Sequence, residues 1–145
     1  MTLSPIRTAT RHDLPAIERV FSAAYSEYEF VIKGLPDMAA GVAEAVAAHE
    51  VWVVENDHAI VGCLILKEFE DSLQVVNVAT TPEVRGQGLG GMMMRFAEAE
   101  GALRGVDCLR LATHVDMPGN VEMYRHLGWE ETGRDGMRVF MEKVL

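Results

Sequence analysis

The fold of this chain is decided by the stretch Val78-Ala79-Thr80-Thr81-Pro82-Glu83-Val84-Arg85-Gly86-Gln87-Gly88-Leu89-Gly90-Gly91-Met92. Before the glycines, the Val-rich run 74–80 predicts a buried strand, and Pro82 predicts its end near Thr81 because proline cannot donate to a strand ladder. After the glycines, apolar residues recur with the helical period at Leu89, Met92, Met93, Phe96 and Ala97. The sequence therefore predicts a strand, a glycine loop and a helix in direct succession.

The glycine loop has the properties of an anion site. Glycines allow positive φ and let a ligand approach the main chain closely. The first N–H groups of the following helix have no intrahelical partner, and the aligned peptide dipoles add partial positive charge there. Arg85 adds a full charge at the edge of the loop. We therefore predict that this junction binds phosphate.

The identity of the phosphate ligand has more than one interpretation. The run Gly86–Gly91 satisfies the dinucleotide fingerprint G-x-G-x-x-G, and Asp107 follows about twenty residues later. In dinucleotide-binding folds, however, the first glycine follows its strand almost at once, whereas Thr81–Arg85 intervene here and little chain follows. A P-loop is excluded because no Gly-Lys-Ser/Thr sequence follows. Dinucleotide binding is kept as an alternative.

Two motifs resemble those of one enzyme family. Arg85-Gly86-Gln87-Gly88-Leu89-Gly90 resembles the acetyl-CoA signature Gln/Arg-x-x-Gly-x-Gly/Ala of the GNAT acetyltransferases. Their second motif, Asn, then Tyr, then Leu-Gly-Phe/Trp, is similar to Asn120-Val121-Glu122-Met123-Tyr124-Arg125-His126-Leu127-Gly128-Trp129-Glu130. The resemblance spans nearly the whole chain and is firmest over 51–129. It implies an α/β fold whose mixed, mostly antiparallel central sheet has about six to seven strands, flanked by about four helices and splayed at the acetyl-CoA site.

Length and composition agree with one domain, residues 1–145, because no Pro- or Ser-rich linker divides the chain. We see no apolar stretch long enough to cross a bilayer and no signal peptide, which predicts a cytoplasmic protein without a membrane partner. The formal charge of −9 argues against nucleic-acid binding. Cys63 and Cys108 lie in apolar, strand-like runs and are expected to be reduced core residues. No metal-ligand spacing is present, so no metal is expected.

The apolar patterns predict alternating elements along the chain. A capping box at Thr10–Asp13 starts the first predicted helix, and Gly128 at the C′ position stops the last. The predicted strands are 6–9, 51–55, 59–67, 74–80, 109–113, 129–132 and 138–142, with a turn at 56–58. Four helices are predicted: the first runs from the capping box to about Tyr25, the second covers 36–49, the third begins near Gly88, and the fourth covers 118–127.

The resemblance assigns roles to individual residues. Tyr124 would be the catalytic acid that protonates the departing thiolate, and Asn120, one turn earlier, would bind the pantetheine or diphosphate arm. Backbone groups of Val78 and Thr80 would contact pantetheine and the thioester carbonyl. The diphosphate would be bound by the loop residues Arg85, Gly86, Gln87, Gly88, Leu89, Gly90 and Gly91.

The general base is not assigned. Many relatives place a glutamate on the strand before the loop, but Gln74 and Val76 occupy the corresponding positions. A water chain leading to solvent could serve instead. The candidate side chains are Glu27 and Glu29, Glu68 or Asp71, and His114 with Asp116.

The acceptor site is expected at the segment 25–30 and the loop 68–72. Tyr25, Glu27 and Glu29 place an aromatic ring beside carboxylates, which suits an ammonium group, although a solvated helix end explains the same residues. The sequence therefore predicts an acetyl-CoA-dependent N-acetyltransferase that transfers acetyl directly to a primary amine of a small molecule or peptide. The alternative is a non-catalytic acyl-CoA-binding sensor. The resemblance also allows a homodimer that pairs through the last strand.

Overall fold

The computed structural model of the protein describes residues 2–25, 41–116 and 118–145. The described part contains seven strands and four α-helices. The strands are β1 (Arg7–Thr8), β2 (Val51–Asn56), β3 (Ala59–Glu68), β4 (Ser72–Thr80), β5 (Cys108–His114), β6 (Glu130–Asp135) and β7 (Arg138–Val144). The helices are α1 (Leu14–Tyr25), α2 (Val42–Ala47), α3 (Leu89–Arg104) and α4 (Pro118–His126).

The strands form a seven-stranded sheet in the order β1-β2-β3-β4-β5-β7-β6. The pairs β1–β2, β2–β3, β5–β7 and β6–β7 are antiparallel, and β4–β5 is parallel. This confirms the predicted α/β class and the mostly antiparallel sheet. Since β7 has a neighbour on both edges, the last strand cannot pair with a second copy as the resemblance suggested. The edge strand at that end is β6.

The chain divides into two compact units. Unit 1 comprises Met1–Ile65 and Asn77–Met93, and unit 2 comprises Leu66–Val76 and Met94–Leu145. The boundaries fall inside β3, β4 and α3, so each of these elements belongs partly to each unit. The single domain 1–145 stays a prediction.

The start of α1 follows from its sequence. Thr10 and Asp13 form the predicted capping box, in which the Thr10 N–H donates to Asp13 Oδ2 at 2.8 Å. A single 3-10 turn, Arg11–Asp13, then leads into α1. The predicted apolar face of α1 packs into the core of unit 1, which includes Ile17, Val20, Phe21, Ala24, Val51, Val53, Cys63 and Ile65.

An ion-pair network holds the beginning of unit 1. Arg7 contacts Asp13 Oδ2 and Glu55 Oε1, each at 2.8 Å. It therefore connects β1, the start of α1 and β2. Hydrogen bonding from Arg7 lowers the pKa of Asp13 to about 2.

Unit 2 has a tightly packed face. Leu109 and Leu111 of β5 and Val139 and Met141 of β7 are buried. On α3, Gly101 allows a close approach, because an added Cβ would lie 2.9 Å from Leu145 Cδ1 and 3.0 Å from Leu109 Cδ2. Such contacts are found where helix and strand backbones pack without an intervening side chain.

Several element boundaries differ from the predictions. The β2–β3 turn is Asp57-His58, both with positive φ (51° and 69°), because Asn56 pairs with Ala59 inside the ladder. Strand β6 continues past Thr132 to Asp135, and its register shifts between Glu131 and Gly133. A bulge of this kind accommodates residues of low strand propensity. Helix α2 begins at Val42, and residues 36–40 of the predicted helix lie outside the described residues.

Both cysteines are free and buried, as predicted. Burial raises the pKa of the Cys63 thiol to about 12, so this thiol stays protonated at neutral pH. Within the described ranges, no helix is both long enough and apolar enough to cross a membrane. The cytoplasmic location stays a prediction.

Candidate active site

The glycine loop of unit 1 lies between β4 and α3, as the sequence predicted. After β4, a 3-10 turn (Pro82–Val84) anchors the chain through the buried Val84. Gly86 and Gly88 then take φ values of 78° and 81°, a region that residues with a Cβ rarely adopt. A Cβ added at either glycine would have no described heavy atom within 4 Å. The loop is therefore an open surface on which a ligand can approach the backbone.

The N-terminus of α3 faces this loop with its first amides. The Met92 N–H donates to the Gly88 carbonyl at 3.0 Å, the bond that opens the helix. The preceding N–H groups, from Leu89 to Gly91, have no intrahelical acceptor. The helix dipole makes this end partly positive, so the loop and the helix start together suit a phosphate.

Arg85 has a structural contact as well as the predicted ligand role. One guanidinium nitrogen, Nη2, donates to the Ala24 carbonyl at 2.8 Å, at the C-terminal turn of α1. Such carbonyls lack helical donors and carry partial negative charge, so a cation there is favourable. A guanidinium has five donors in a fork and can bind more than one acceptor.

Two other loop residues act mainly on the loop itself. The Gln87 side chain donates from Nε2 to the Glu83 carbonyl at 3.3 Å. Leu89 is buried and lies near Gly62 of β3, where an added Cβ would be 3.3 Å from Leu89 Cδ2. We therefore expect Leu89 to contact a ligand through its backbone and to hold the start of α3 on β3 with its side chain.

In unit 2, the structure places Asn120 and Tyr124 one turn apart on α4. Asn120 is half-buried and Tyr124 is buried. The Tyr124 ring packs on Trp129, with centroids 5.9 Å apart and planes tilted by 55°.

The end of α4 fixes the position of Tyr124. Gly128 has a φ of 94°, and its N–H donates to the Arg125 carbonyl at 3.0 Å. The Trp129 N–H donates to the Tyr124 carbonyl at 3.0 Å. These two bonds form the Schellman motif that glycine at C′ favours. Tyr124 is thus held by its carbonyl and its ring together.

The strands β4 and β5 pair over a short distance. Their described ladder joins Ser72, Leu73 and Gln74 to Cys108, Leu109 and Arg110 and stops there, although both strands continue. Val78 and Thr80, further along β4 in unit 1, are half-buried.

The side chains considered as general bases have different partners in the structure. Glu68 pairs with Arg104 at 3.1 Å, and Asp71 lies 3.6 Å from Arg110, so both carboxylates have cation partners. His114 accepts the Asp116 backbone N–H at Nδ1 at 3.0 Å. This hydrogen bond engages Nδ1 of the imidazole.

Most of the acceptor residues predicted from the sequence lie outside the part of the chain that the structure describes. Tyr25 is the last residue of α1, and the structure describes its backbone only. Glu27 and Glu29 lie outside the described residues.

The sequence interpretation missed a cavity of about 470 Å³ in unit 2, over β4, β5, β6 and β7. Its lining includes Gln74, Arg110, Arg138, Phe140 and Glu142. The alternation of these residues on β5 and β7 was the available signal, but such a pattern is also that of any solvated strand face.

Comparison with known proteins identifies the family. A model of the acetyltransferase (GNAT) domain matches residues 47–131, more than half of the chain. The chain belongs to the GNAT acetyltransferase family. This confirms the resemblance carried by the two motifs. A comparison with curated protein sequences found no match.

Solved structures of GNAT proteins share the fold of this family member. The PaiA N-acetyltransferase of Thermoplasma acidophilum, in complex with coenzyme A, is 17% identical with a TM-score of 0.90, and all of both chains is covered. The ribosomal-protein-S18-alanine N-acetyltransferase of Escherichia coli is 19% identical with a TM-score of 0.79, covering 99% of this chain and 94% of that one.

A larger enzyme contains the same fold. The N-acetylglutamate synthase of Neisseria gonorrhoeae, complexed with coenzyme A and N-acetyl-glutamate, is 16% identical with a TM-score of 0.78. The match covers all of this chain and 35% of that one.

Proposed function

We propose that this GNAT protein is an acetyl-CoA-dependent N-acetyltransferase that transfers acetyl directly to a primary amine of a small molecule or peptide. The observation that carries the proposal is the open glycine loop at the N-terminus of α3, in which a Cβ added at Gly86 or Gly88 would have no described heavy atom within 4 Å. Two of the solved relatives were crystallised with coenzyme A.

The residues present fit this cosubstrate. The backbone from Arg85 to Gly91 would hold the diphosphate, and Asn120 would bind the pantetheine or diphosphate arm. The β4 edge at Val78 and Thr80 would add backbone hydrogen bonds. When bound, acetyl-CoA supplies an activated thioester acyl group.

Tyr124 is proposed as the acid. Acyl transfer forms a C–N bond, breaks a C–S bond, releases a proton from the amine and leaves a thiolate that accepts a proton. A phenolic O–H can donate that proton, and the Schellman motif and the Trp129 contact keep the side chain in place. Positioning of this kind is what makes a general acid effective.

The amine would lose its proton to water. Gln74 and Val76 supply no carboxylate on β4, Glu68 and Asp71 pair with arginines, and His114 accepts a backbone N–H at Nδ1. An amine with an ordinary pKa near 10 is neutral only in a small fraction at pH 7. We therefore propose that turnover rises with pH up to about the pKa of the acceptor amine.

The test is calorimetric titration with acetyl-CoA, CoA and NADH in parallel, followed by release of free thiol against a panel of primary amines. Acetyl-CoA binding with amine-dependent thiol release would establish the transferase. Absence of CoA binding would refute the account of the glycine loop, and NADH binding in its place would favour the dinucleotide interpretation.

A non-catalytic acyl-CoA sensor is the second candidate. The observation that favours it is the lack of a carboxylate at Gln74 and Val76 of β4, where many relatives have a glutamate. Tight acetyl-CoA binding without thiol release, for every amine tested between pH 7 and about pH 10, would support the sensor. The acceptors named for two relatives, a protein alanine and glutamate, guide the choice of amines.

A further inference from the structure

Most of the β5 and β7 residues that line the cavity of unit 2 share one face of the sheet, and Leu111 and Met141 of the buried face line it as well. Cross-strand partners share a face, and the register pairs Arg110 with Glu142, Ala112 with Phe140 and His114 with Arg138. Ala112 is the smallest of these residues, so the space above it stays open beside the Phe140 ring. A volume of about 470 Å³ is in the range of small-molecule sites.

The two arginines that line the cavity are held differently. Arg110 donates from Nε to Glu142 Oε2 at 3.1 Å and lies 3.6 Å from Asp71 Oδ1. It is therefore matched by two carboxylates at the cavity wall. Because two carboxylates already pair with Arg110, Arg138 is the better candidate to bind an added carboxylate.

Arg138 has the weaker anchoring. Its carboxylate partner is Asp135, with Nη2 and Oδ2 3.5 Å apart, and both side chains are more than half exposed. Such a pair contributes about 0–1 kcal/mol and is readily exchanged. The guanidinium carbon lies 5.3 Å from the centre of the Phe140 ring. An arginine that contacts an aromatic ring can still bind a carboxylate through two hydrogen bonds from its planar fork of donors.

We propose that this cavity is a binding site for a small organic carboxylate with an apolar body, whose carboxylate displaces Asp135 from Arg138. The Phe140 ring, Ala112 and the exposed Phe69 form the apolar surface. A small cation without a carboxylate would gain no ion pair with Arg138. The site rests on the cavity and its charges and does not depend on the proposed acetyl transfer.

The test uses paired probes that differ in charge alone. N-acetyl-L-phenylalanine and N-acetyl-L-phenylalaninamide have the same body, and neither carries an amine that can be acetylated. Ligand-observed NMR titration of the full chain is expected to show binding of the acid and at least about tenfold weaker binding of the amide. Equal binding of both probes, or binding of neither, would overturn the proposal.

Substitutions at Arg138 and Asp135 test whether the carboxylate of the ligand binds Arg138. Arg138→Gln is expected to weaken binding of the acid about tenfold or more, whereas Asp135→Asn is expected to tighten it by removing the competing carboxylate. Arg134→Gln is the matched control, because Arg134 is another arginine of the same hairpin that is more than half exposed, and it pairs with Glu131. An unchanged affinity in Arg138→Gln, with an unaltered thermal midpoint, would refute the role of Arg138.

The carboxylate can belong to the acceptor or to a separate molecule. Thiol release with L-phenylalanine and L-phenylalaninamide distinguishes these sources when it is measured at about pH 10, where both amines are largely neutral. If the acid is the better acceptor and Arg138→Gln removes its advantage, the cavity binds the acceptor. If the two amines react alike while N-acetyl-L-phenylalanine still binds, the cavity binds a separate carboxylate. NMR binding is scored without turnover, so failure of the acetyl-transfer proposal would not be confused with failure of this one.

Discussion

At the scale of single residues, Tyr124 has contacts that fix its backbone and ring, and its hydroxyl is the group proposed as the acid. Its carbonyl accepts the Trp129 N–H, and its ring packs on the Trp129 ring. Tyr124→Phe keeps both contacts and removes the proposed acid. We expect kcat to fall about 100-fold, the lower range for general acid catalysis, with little change in CoA affinity. Turnover unchanged with every accepted amine would show that Tyr124 is not the acid.

Gly88 tests the phosphate loop. Gly88→Ala places a Cβ on the open face of the loop, where the ligand would approach, at a φ of 81°. We expect CoA affinity to fall at least about tenfold. Gly105→Ala is the control, since Gly105 has a φ of 75° and no described atom within 4 Å of an added Cβ, but follows the other end of α3. Loss of CoA binding in Gly88→Ala but not in Gly105→Ala would assign the effect to the loop. Loss of CoA binding in both variants would not.

The lowered pKa of Asp13 predicts that the free energy of unfolding falls at acid pH. Because hydrogen bonding from Arg7 lowers its folded-state pKa from 3.8 to about 2, the folded form binds fewer protons than the unfolded chain in that interval. The stabilisation is present above pH 4 and is lost as the pH falls towards 2. Urea titrations should show a pH slope in this window that is smaller in Asp13→Asn. Equal slopes in the two proteins would contradict the assignment.

At the scale of elements, Gly101 sets how closely α3 packs in unit 2. Gly to Ala inside a helix normally stabilises by up to about 1 kcal/mol. At Gly101 the added Cβ would lie 2.9 Å from Leu145 Cδ1 and 3.0 Å from Leu109 Cδ2, and overpacking of this kind costs about 1–3 kcal/mol. We expect Gly101→Ala to lower the free energy of unfolding measured in urea.

The matched control for Gly101 lies in α4. Gly119 has no described heavy atom within 4 Å of an added Cβ, so Gly119→Ala should be neutral or stabilising. A Gly101→Ala protein as stable as the parent would mean that Leu145 moves aside without cost.

The elements also show why part of this fold could be predicted. Local sequence signals were reliable where a backbone conformation or an unpaired N–H group favours one residue type. Examples are the capping box at Thr10 and Asp13 and the glycines with left-handed φ at Gly88 and Gly128. Strand β6 was predicted too short because Gly133 and Asp135 have low strand propensity, and only its ladder with β7 holds them extended.

The cavity of unit 2 could not be predicted because it depends on long-range pairing. Arg110 and Glu142 are remote in sequence and become neighbours through the β5–β7 register. Similarly, the Arg85 contact with the Ala24 carbonyl has no local signal. The sequence identified the residues that a motif requires, whereas side chains brought together by sheet register needed the structure.

At the scale of the whole molecule, the chain has one tryptophan in each unit. Trp52 lies in β2 of unit 1 and Trp129 precedes β6 in unit 2, and both are buried. Tryptophan fluorescence reports the loss of burial around each ring. With two tryptophans in the sequence, a single Trp→Phe substitution leaves a probe for one unit alone.

We expect the chain to unfold in one cooperative transition, because β3, β4 and α3 each contribute residues to both units and cannot unfold in one without losing hydrogen bonds in the other. Urea unfolding of Trp52→Phe and Trp129→Phe tests this. Within each variant, the fluorescence of the remaining tryptophan should follow the far-UV circular dichroism with the same midpoint and slope. If Trp129 reports a transition separate from the circular dichroism, unit 2 unfolds by itself and residues 1–145 are not one folding domain.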